Sequence, residues 1–215
     1  HPGARHDASQ RYRRSRSSRF SGRDLLRRGT EPERPADHPY RDWRADLARY
    51  PRLAVLSQPA VWAIMNYRFG RYSLIAPRPI RPAACALYFM GYSVIRLATG
   101  IDIPRKASIG PGMLVHHFGG ITINPRVVIG RNFVMRQGVT VGSRTDEGPC
   151  PVIGDDVVVG AYAQILGGVS VGERAVIGAL TLVISDVPPG RVAVGIPAHL
   201  VAETSEKQSA KPNPN

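Results

Sequence analysis

Cysteine is nearly absent from the 215-residue chain: Cys85 and Cys150 are the only two, far apart and in no C-x-x-C pair. That scarcity excludes a disulfide framework, argues against a structural zinc site, and fits a reducing compartment such as the cytoplasm. Long hydrophobic runs are missing as well. The longest uncharged apolar-leaning stretch lies at 82–95, between Arg81 and Arg96. It is too short for a bilayer span, which takes about 20 residues. No secretory leader is expected, because no apolar core follows the arginine-rich opening. Lysine is down to Lys106, Lys207 and Lys211, so arginine carries the positive charge. With 43% hydrophobic residues, the chain is neither wholly disordered nor collagen-like.

Acidic residues are the minority, 16 against 29 lysines and arginines, for a net charge of +13. The excess is concentrated: residues 1–30 hold nine arginines against Asp7 and Asp24, a surplus of +7. Residues 1–36 are poor in large apolar side chains and read as a flexible basic tail. An RNA, DNA or anionic-membrane patch is the alternative. No aromatic interleaving or nucleic-acid motif supports it, so no nucleic-acid partner is expected.

Residues 37–100 read as helices broken by prolines. Trp43, Leu47 and Tyr50 recur at helical spacing before Pro51. Val61, Ile64, Met65, Arg68 and Phe69 form a second segment ending at Gly70. Ala84, Leu87, Tyr88, Tyr92 and Ile95 form a third, apolar enough to lie against a partner or a membrane surface. A buried packing helix is the preferred reading, and membrane association is not favoured.

From residue 101 to 200 the period becomes six. Of the ten positions from 129 to 183 in that phase, nine are Ile, Val or Met, and glycine follows at seven of the ten. This is the hexapeptide signature of a parallel β-helix, three hexads to a triangular coil and about five coils in all. The hexapeptide form coils left-handed, against the usual crossover hand. Each aliphatic should point inward, and the glycine should help the chain turn the corner. Residues 201–215 form a polar tail. The fold class expected is thus mainly β, a left-handed β-helix preceded by a small helical segment.

The phase breaks twice. Ile103, Ile109, Val115 and Ile121 share one register, whereas Ile123, Ile129 and Met135 share another, and the slip falls at residues 116–120, His-His-Phe-Gly-Gly. In the second break, residues 143–150, Glu147 replaces the aliphatic and the hexad must bulge outward. Repeats tend to leave register where function is carried. At the slip, His116 and His117 precede two glycines, and Asp102 lies 15 residues upstream, about one coil away. An Asp–His pair is a general-base device: the carboxylate fixes the imidazole tautomer, and the free nitrogen takes a proton from a hydroxyl. No G-x-S-x-G elbow is present, so the acceptor would be activated without a covalent enzyme intermediate. A three-histidine metal site lacks its third member, and no metal is expected.

These residues resemble a known family. Asp102-Ile103-Pro104, Ile109-Gly110-Pro111-Gly112, His117 with Gly120, the 136–142 run Arg-Gln-Gly-Val-Thr-Val-Gly, and Gly195-Ile196-Pro197-Ala198 are similar to the serine O-acetyltransferase family of hexapeptide acyltransferases. The resemblance implies homotrimers, with their pairing into hexamers left open, and acetyl-CoA held as co-substrate between adjacent subunits. It implies His117 as catalytic base and Asp102 as its partner. It places the pantetheine arm against Gly142-Ser143, Gly160-Ala161 and Gly178-Ala179, where one backbone amide would also stabilise an oxyanion.

The acceptor side departs from the family. The aspartate expected before the catalytic histidine is His116, and the Arg-His pair expected after the extended loop is Pro149-Cys150. Without those charges, free serine loses its charge-assisted contacts. His116, Cys150 and Arg136 are the candidate acceptor-binding residues. The expected function is acetyl-CoA-dependent O-acetylation of a saccharide or another non-serine hydroxyl compound. The alternatives are a serine O-acetyltransferase of cysteine biosynthesis and a non-catalytic β-helix scaffold.

Overall fold

The computed structural model describes residues 39–51 and 57–203. The basic tail (1–36) and all but the start of the polar C-terminal tail lie outside the described residues.

Three helices precede the repeats: α1 (Pro39–Leu47), α2 (Pro59–Ile75) and α3 (Arg81–Thr99). Proline sits in the first turn of α2 and of α3, where its missing N–H would have had no intrahelical partner. Gly100 ends α3 at φ 66°, its N–H returning to the Arg96 carbonyl. The second helix does not stop at Gly70 as expected but runs on to Ile75. Gly70 serves close packing there: a Cβ would lie 2.5 Å from the Tyr88 ring of α3.

From Ile101 the chain winds through short strands. They are β1 (Ile101–Asp102), β2 (Ser108–Ile109), β3 (Leu114–His116), β4 (Ile121–Ile123), β5 (Val128–Ile129), β6 (Val134–Arg136) and β7 (Thr140–Gly142). Above them come β8 (Val152–Ile153), β9 (Val158–Val159), β10 (Gln164–Leu166), β11 (Ser170–Val171), β12 (Val176–Ile177), β13 (Leu182–Val183), β14 (Arg191–Val194) and β15 (His199–Glu203). Strands three apart pair in parallel, so β1-β4-β7-β10-β13 form one sheet, β2-β5-β8-β11 a second, and β3-β6-β9-β12 a third, which β14 extends next to β12. The protein is mainly β, a parallel β-solenoid of about five turns. The hexad aliphatics fill its interior: Ile109, Ile129, Ile153 and Val171 stack in one column, and Val115, Met135, Val159 and Ile177 in another, all buried.

The hexad glycines do something other than turn corners. The residues with left-handed backbone near the corners are Asn132, Asp156, Tyr162, Arg174 and Leu180, two positions after the glycine in each hexad. The glycines instead let one coil settle on the next. A Cβ on Gly160 would stand 2.5 Å from the Ala179 nitrogen, and one on Gly172 would stand 2.3 Å from the Pro189 nitrogen.

Both register breaks become geometry. Ile101 pairs with Ile121, twenty positions on, while Ile123 pairs with Val141, eighteen on. The two extra residues are absorbed at the corner of residues 117–120. Between β7 and β8 the chain skips directly from Val141 to Ile153 as core positions, and residues 143–150 leave the coil as a largely exposed loop.

The lowest coil has a free edge, and side chains from the helices cover it. The Tyr67 hydroxyl donates to the Ala107 carbonyl (3.0 Å) and accepts from the Ile109 N–H (3.1 Å). Tyr50 treats Val115 the same way (3.1 and 2.8 Å). Asp46 accepts the N–H groups of Gly112 and Met113, each at 2.8 Å, and is held by Arg68 Nε at 2.7 Å. Arg68 is itself buried and donates to the Ile109 and Gly110 carbonyls. Burial holds the Asp46 carboxyl above its ordinary range, although Arg68 and the two amides pull the other way. At the far end β15 turns back antiparallel on β14. Polar end groups of this kind are what a repeat stack needs to stay finite.

The third helix departs from its expected role. Only Tyr88 and Thr99 of α3 are buried, so it lies on the surface and is not a buried packing helix.

Candidate active site

Three lines of corners run up the solenoid. The line between the third and first sheets carries residues 117–120, then 137–139, then Gly160-Ala161 and Gly178-Ala179 directly stacked on one another. The expected catalytic histidine and two of the three expected acetyl-CoA corners therefore share one edge. Gly142-Ser143 lies on the next line of corners, between the first and second sheets, at the root of the projecting loop.

Asp102 stands at the end of β1, and its neighbour in the coil above is Thr122. The corner bearing His117 folds back against the start of that strand: a Cβ on Gly100 would lie 3.0 Å from the Gly120 nitrogen, and Gly138 N–H donates to the Gly119 carbonyl at 2.9 Å. Asp102 and the His117 corner are thus adjacent features of one edge. His117 itself has a left-handed backbone, φ 66°. The carboxylate is engaged from α3: the Tyr92 hydroxyl donates to Asp102 Oδ1, and Arg96 Nη1 lies 3.7 Å from Oδ2. Burial, then the Asp102 carboxylate, push the Tyr92 phenol up to about 12. Among the described residues no hydrogen bond joins Asp102 to His117.

The candidate acceptor residues fall in two places. His116 ends β3 and is in register with Arg136 at the end of β6, both on the outer surface of the third sheet, where the imidazole is accessible at one edge and desolvated over the rest. Burial, then the positive charge of Arg136, lower the His116 imidazole below its ordinary value. Cys150 is elsewhere, at the far end of the projecting loop. Its thiol is pushed up by burial, against the pull of Arg126 and Ser143.

Arg126 was not singled out from the sequence, yet it organises that loop. From the coil below, its guanidinium donates to the carbonyls of Asp146 (3.0 Å), Gly148 (2.9 Å) and Glu147 (3.5 Å). Asn124 Nδ2 donates to Ser143 Oγ at 3.4 Å, fixing the loop's root. Gln137, beside the His117 corner, keeps a buried side-chain carbonyl oxygen with no hydrogen-bond partner among the described residues. Nothing in the sequence marked Arg126. Gln137 stood inside the quoted 136–142 motif, and Tyr92 inside the third helical segment.

The edge fits an acyl-thioester arm. No hydrogen bond among the described residues takes up the backbone N–H of Ser143, Ala161 or Ala179, whereas the neighbouring Gly160 and Gly178 N–H groups are used between coils. Donors left open in a column at stacked corners suit the carbonyls of an extended amide chain.

Comparison with known proteins bears on this edge. Residues 150–185 match the family model described as bacterial transferase hexapeptide (six repeats). A serine acetyltransferase from Synechocystis is 37% identical over 151 residues, which is 69% of this chain and 58% of that protein. The Neisseria gonorrhoeae serine acetyltransferase, solved in complex with serine, is 31% identical with a TM-score of 0.63, covering 76% of this chain and 67% of that one. The Brucella abortus serine acetyltransferase, solved in complex with coenzyme A, is 25% identical with a TM-score of 0.67, covering 77% and 68%. The chain spans 58% of the length of the Synechocystis relative and 64% of a Mycobacterium tuberculosis one.

Proposed function

We propose an activity from the family: the chain belongs to the serine O-acetyltransferase-like hexapeptide-repeat acyltransferases, and it transfers an acetyl group from acetyl-CoA to the hydroxyl of a small acceptor, L-serine first among candidates. The observation that carries this reading is the shared edge, with Asp102, the His117 corner and the open amides of Ala161 and Ala179 in one line. The relatives favour serine over the saccharide acceptor read from the sequence, since they are serine acetyltransferases and one was solved with serine.

In this reading acetyl-CoA supplies the thioester, held along the Gly160-Ala161 and Gly178-Ala179 corners and reaching the Gly142-Ser143 corner. His117 accepts the proton of the acceptor hydroxyl as its oxygen attacks the thioester carbon, and Asp102 steadies the charged imidazolium; the C–S bond then breaks and the imidazolium returns the proton to the departing CoA sulfur. Tyr92 and Arg96 hold the Asp102 carboxylate in place. An open corner amide meets the negative charge that develops on the acyl oxygen, a contribution typically worth a few kcal/mol. The working unit is a trimer, with the acyl donor between neighbouring subunits.

A second reading keeps a saccharide hydroxyl as acceptor, and a specific observation favours it: Pro149 and Cys150 stand where the family's Arg-His pair is expected, and His116 where it has an aspartate. The test is release of CoA thiol from acetyl-CoA with L-serine beside a panel of sugars and nucleotide sugars. Saturable turnover with serine is expected. Turnover with sugars alone would replace serine by a saccharide. Silence throughout, with no CoA binding by calorimetry, would remove the enzymatic reading.

A further inference from the structure

The helices that cover the first coil have an inner face and an outer face, and the outer one is apolar. On α3 the positions Leu87, Met90, Val94 and Leu97 recur at spacings of three and four and are 53, 61, 61 and 86% exposed. Ala83 and Ala86 fall on the same side, and no charged residue does. The opposite side of α3 faces the solenoid, through Tyr92 and Arg96 toward Asp102 and through Tyr88 toward Arg105. On α2, Trp62 and Tyr72 are likewise exposed, away from the side that buries Ala60, Ala63, Ile64 and Tyr67. The helices meet through Gly91 against Asn66 and Gly70 against Tyr88, so their outer faces adjoin. At the tip of the hairpin, Ile75 and Ile80 are exposed beside Arg78 and Arg81. A continuous row of exposed apolar side chains, as opposed to single scattered ones, marks a face that meets something other than water.

Charge selects the occupant. Between Asp46 and Asp102 the sequence has no Asp or Glu and seven arginines. Arg68 is committed to Asp46, and Arg96 lies against Asp102. Arg78 and Arg81 at the tip have no carboxylate partner among the described residues. Apposing two copies tip to tip would set Arg78 and Arg81 against their counterparts with no acid between them. An anionic lipid headgroup answers the arginines, and the acyl boundary takes the apolar stripe, the arrangement of a helix lying in a membrane interface. No helix among the described residues is long and apolar enough to cross a membrane.

We propose that the outer face of the α2–α3 hairpin docks the protein on the surface of an anionic phospholipid bilayer, with Leu87, Met90, Val94 and Leu97 inserted at the headgroup boundary and Arg78 and Arg81 on the phosphates. The full chain is mixed with phosphatidylcholine vesicles, with or without phosphatidylglycerol, and sedimented at low and at high salt. Binding is expected to the anionic vesicles, with a part that survives high salt. Leu97→Ser, at the most exposed position of the stripe, lowers the partition coefficient about tenfold, and the quadruple serine variant abolishes the salt-resistant part. Arg78→Gln with Arg81→Gln lowers the preference for anionic over neutral vesicles. The arginine-rich residues 1–36 are common to every variant, so each loss reports the hairpin alone. Circular dichroism establishes that the variants are folded, and the single Leu97→Ser change carries the test if the quadruple variant is not. Absence of vesicle binding, or unchanged binding by Leu97→Ser, would overturn the proposal. So would a change of oligomeric state in Leu97→Ser by sedimentation velocity, which would assign the face to a second copy of the chain.

Discussion

The upper coils and the lower coils are made from the same hexads, and they differ in how strictly they keep to them. From Ile153 to Val183 every sixth residue is a buried aliphatic, each corner is short, and the corner glycines let coil rest on coil. From Ile101 to Cys150 the period slips by two at the His117 corner and releases a whole hexad at the projecting loop. The regular half offers a straight row of repeated backbone donors, suited to an extended arm such as pantetheine. The irregular half offers individual side chains at unrepeatable positions, which chemistry and acceptor choice require. A solenoid makes its general binding surface by repetition and its specific site by breaking repetition.

Four substitutions sharpen that contrast. His117→Ala, in the irregular half, should lower acetyl transfer by about 10² or more with acetyl-CoA affinity nearly unchanged; an unaltered rate would dismiss the base role. Gly160→Ala, in the regular half, forces a Cβ to within 2.5 Å of the Ala179 nitrogen. It should cost about 1–3 kcal/mol of stability by denaturant unfolding and raise the KM for acetyl-CoA but not for the acceptor. Arg126→Ala frees the loop carbonyls at 146–148 and should do the reverse, raising the acceptor KM up to about tenfold at constant acetyl-CoA KM. Equal effects of these two variants on both substrates would erase the division between halves.

The smallest effect concerns pH. The His116 imidazole is held below its ordinary 6.5 by burial and by Arg136. The folded state therefore takes up its proton later than the unfolded chain does. Stability from this residue is whole above pH 6.5 and declines as pH falls from there through the lower folded value. His116→Gln should flatten the mildly acidic part of the pH–stability curve, as read by thermal melts, and leave it unchanged above neutrality.

The solenoid was legible because its period is written in the core: a position that must be buried on every turn admits few residues, and Ile129 through Val183 declare it. The two breaks were legible for the same reason, as failures of a strict pattern. What could not be read was the use of each glycine, since a residue without a side chain looks the same whether it turns a corner or makes room for the next coil. Arg126 was invisible because its partners are backbone carbonyls, which leave no mark in sequence. The surface position of α3 was misjudged because apolar periodicity reports a stripe without saying what the stripe meets. The acceptor was not legible in the same way: the loss of charge at Pro149 and Cys150 says which contacts are gone, not which hydroxyl takes their place.

The side chains of Tyr50, Tyr67 and Asp46 at the lowest coil have a meaning for growth as well as for stability. A stack of coils is a one-dimensional crystal whose end face is always a template for one more layer. Three polar groups occupy the lattice points that a further layer would use, so hydrogen-bond chemistry closes this end of the crystal as β15 closes the other. Stripped of that terminator, the first coil would be left as an open edge of unpaired backbone groups, ready to pair with another chain.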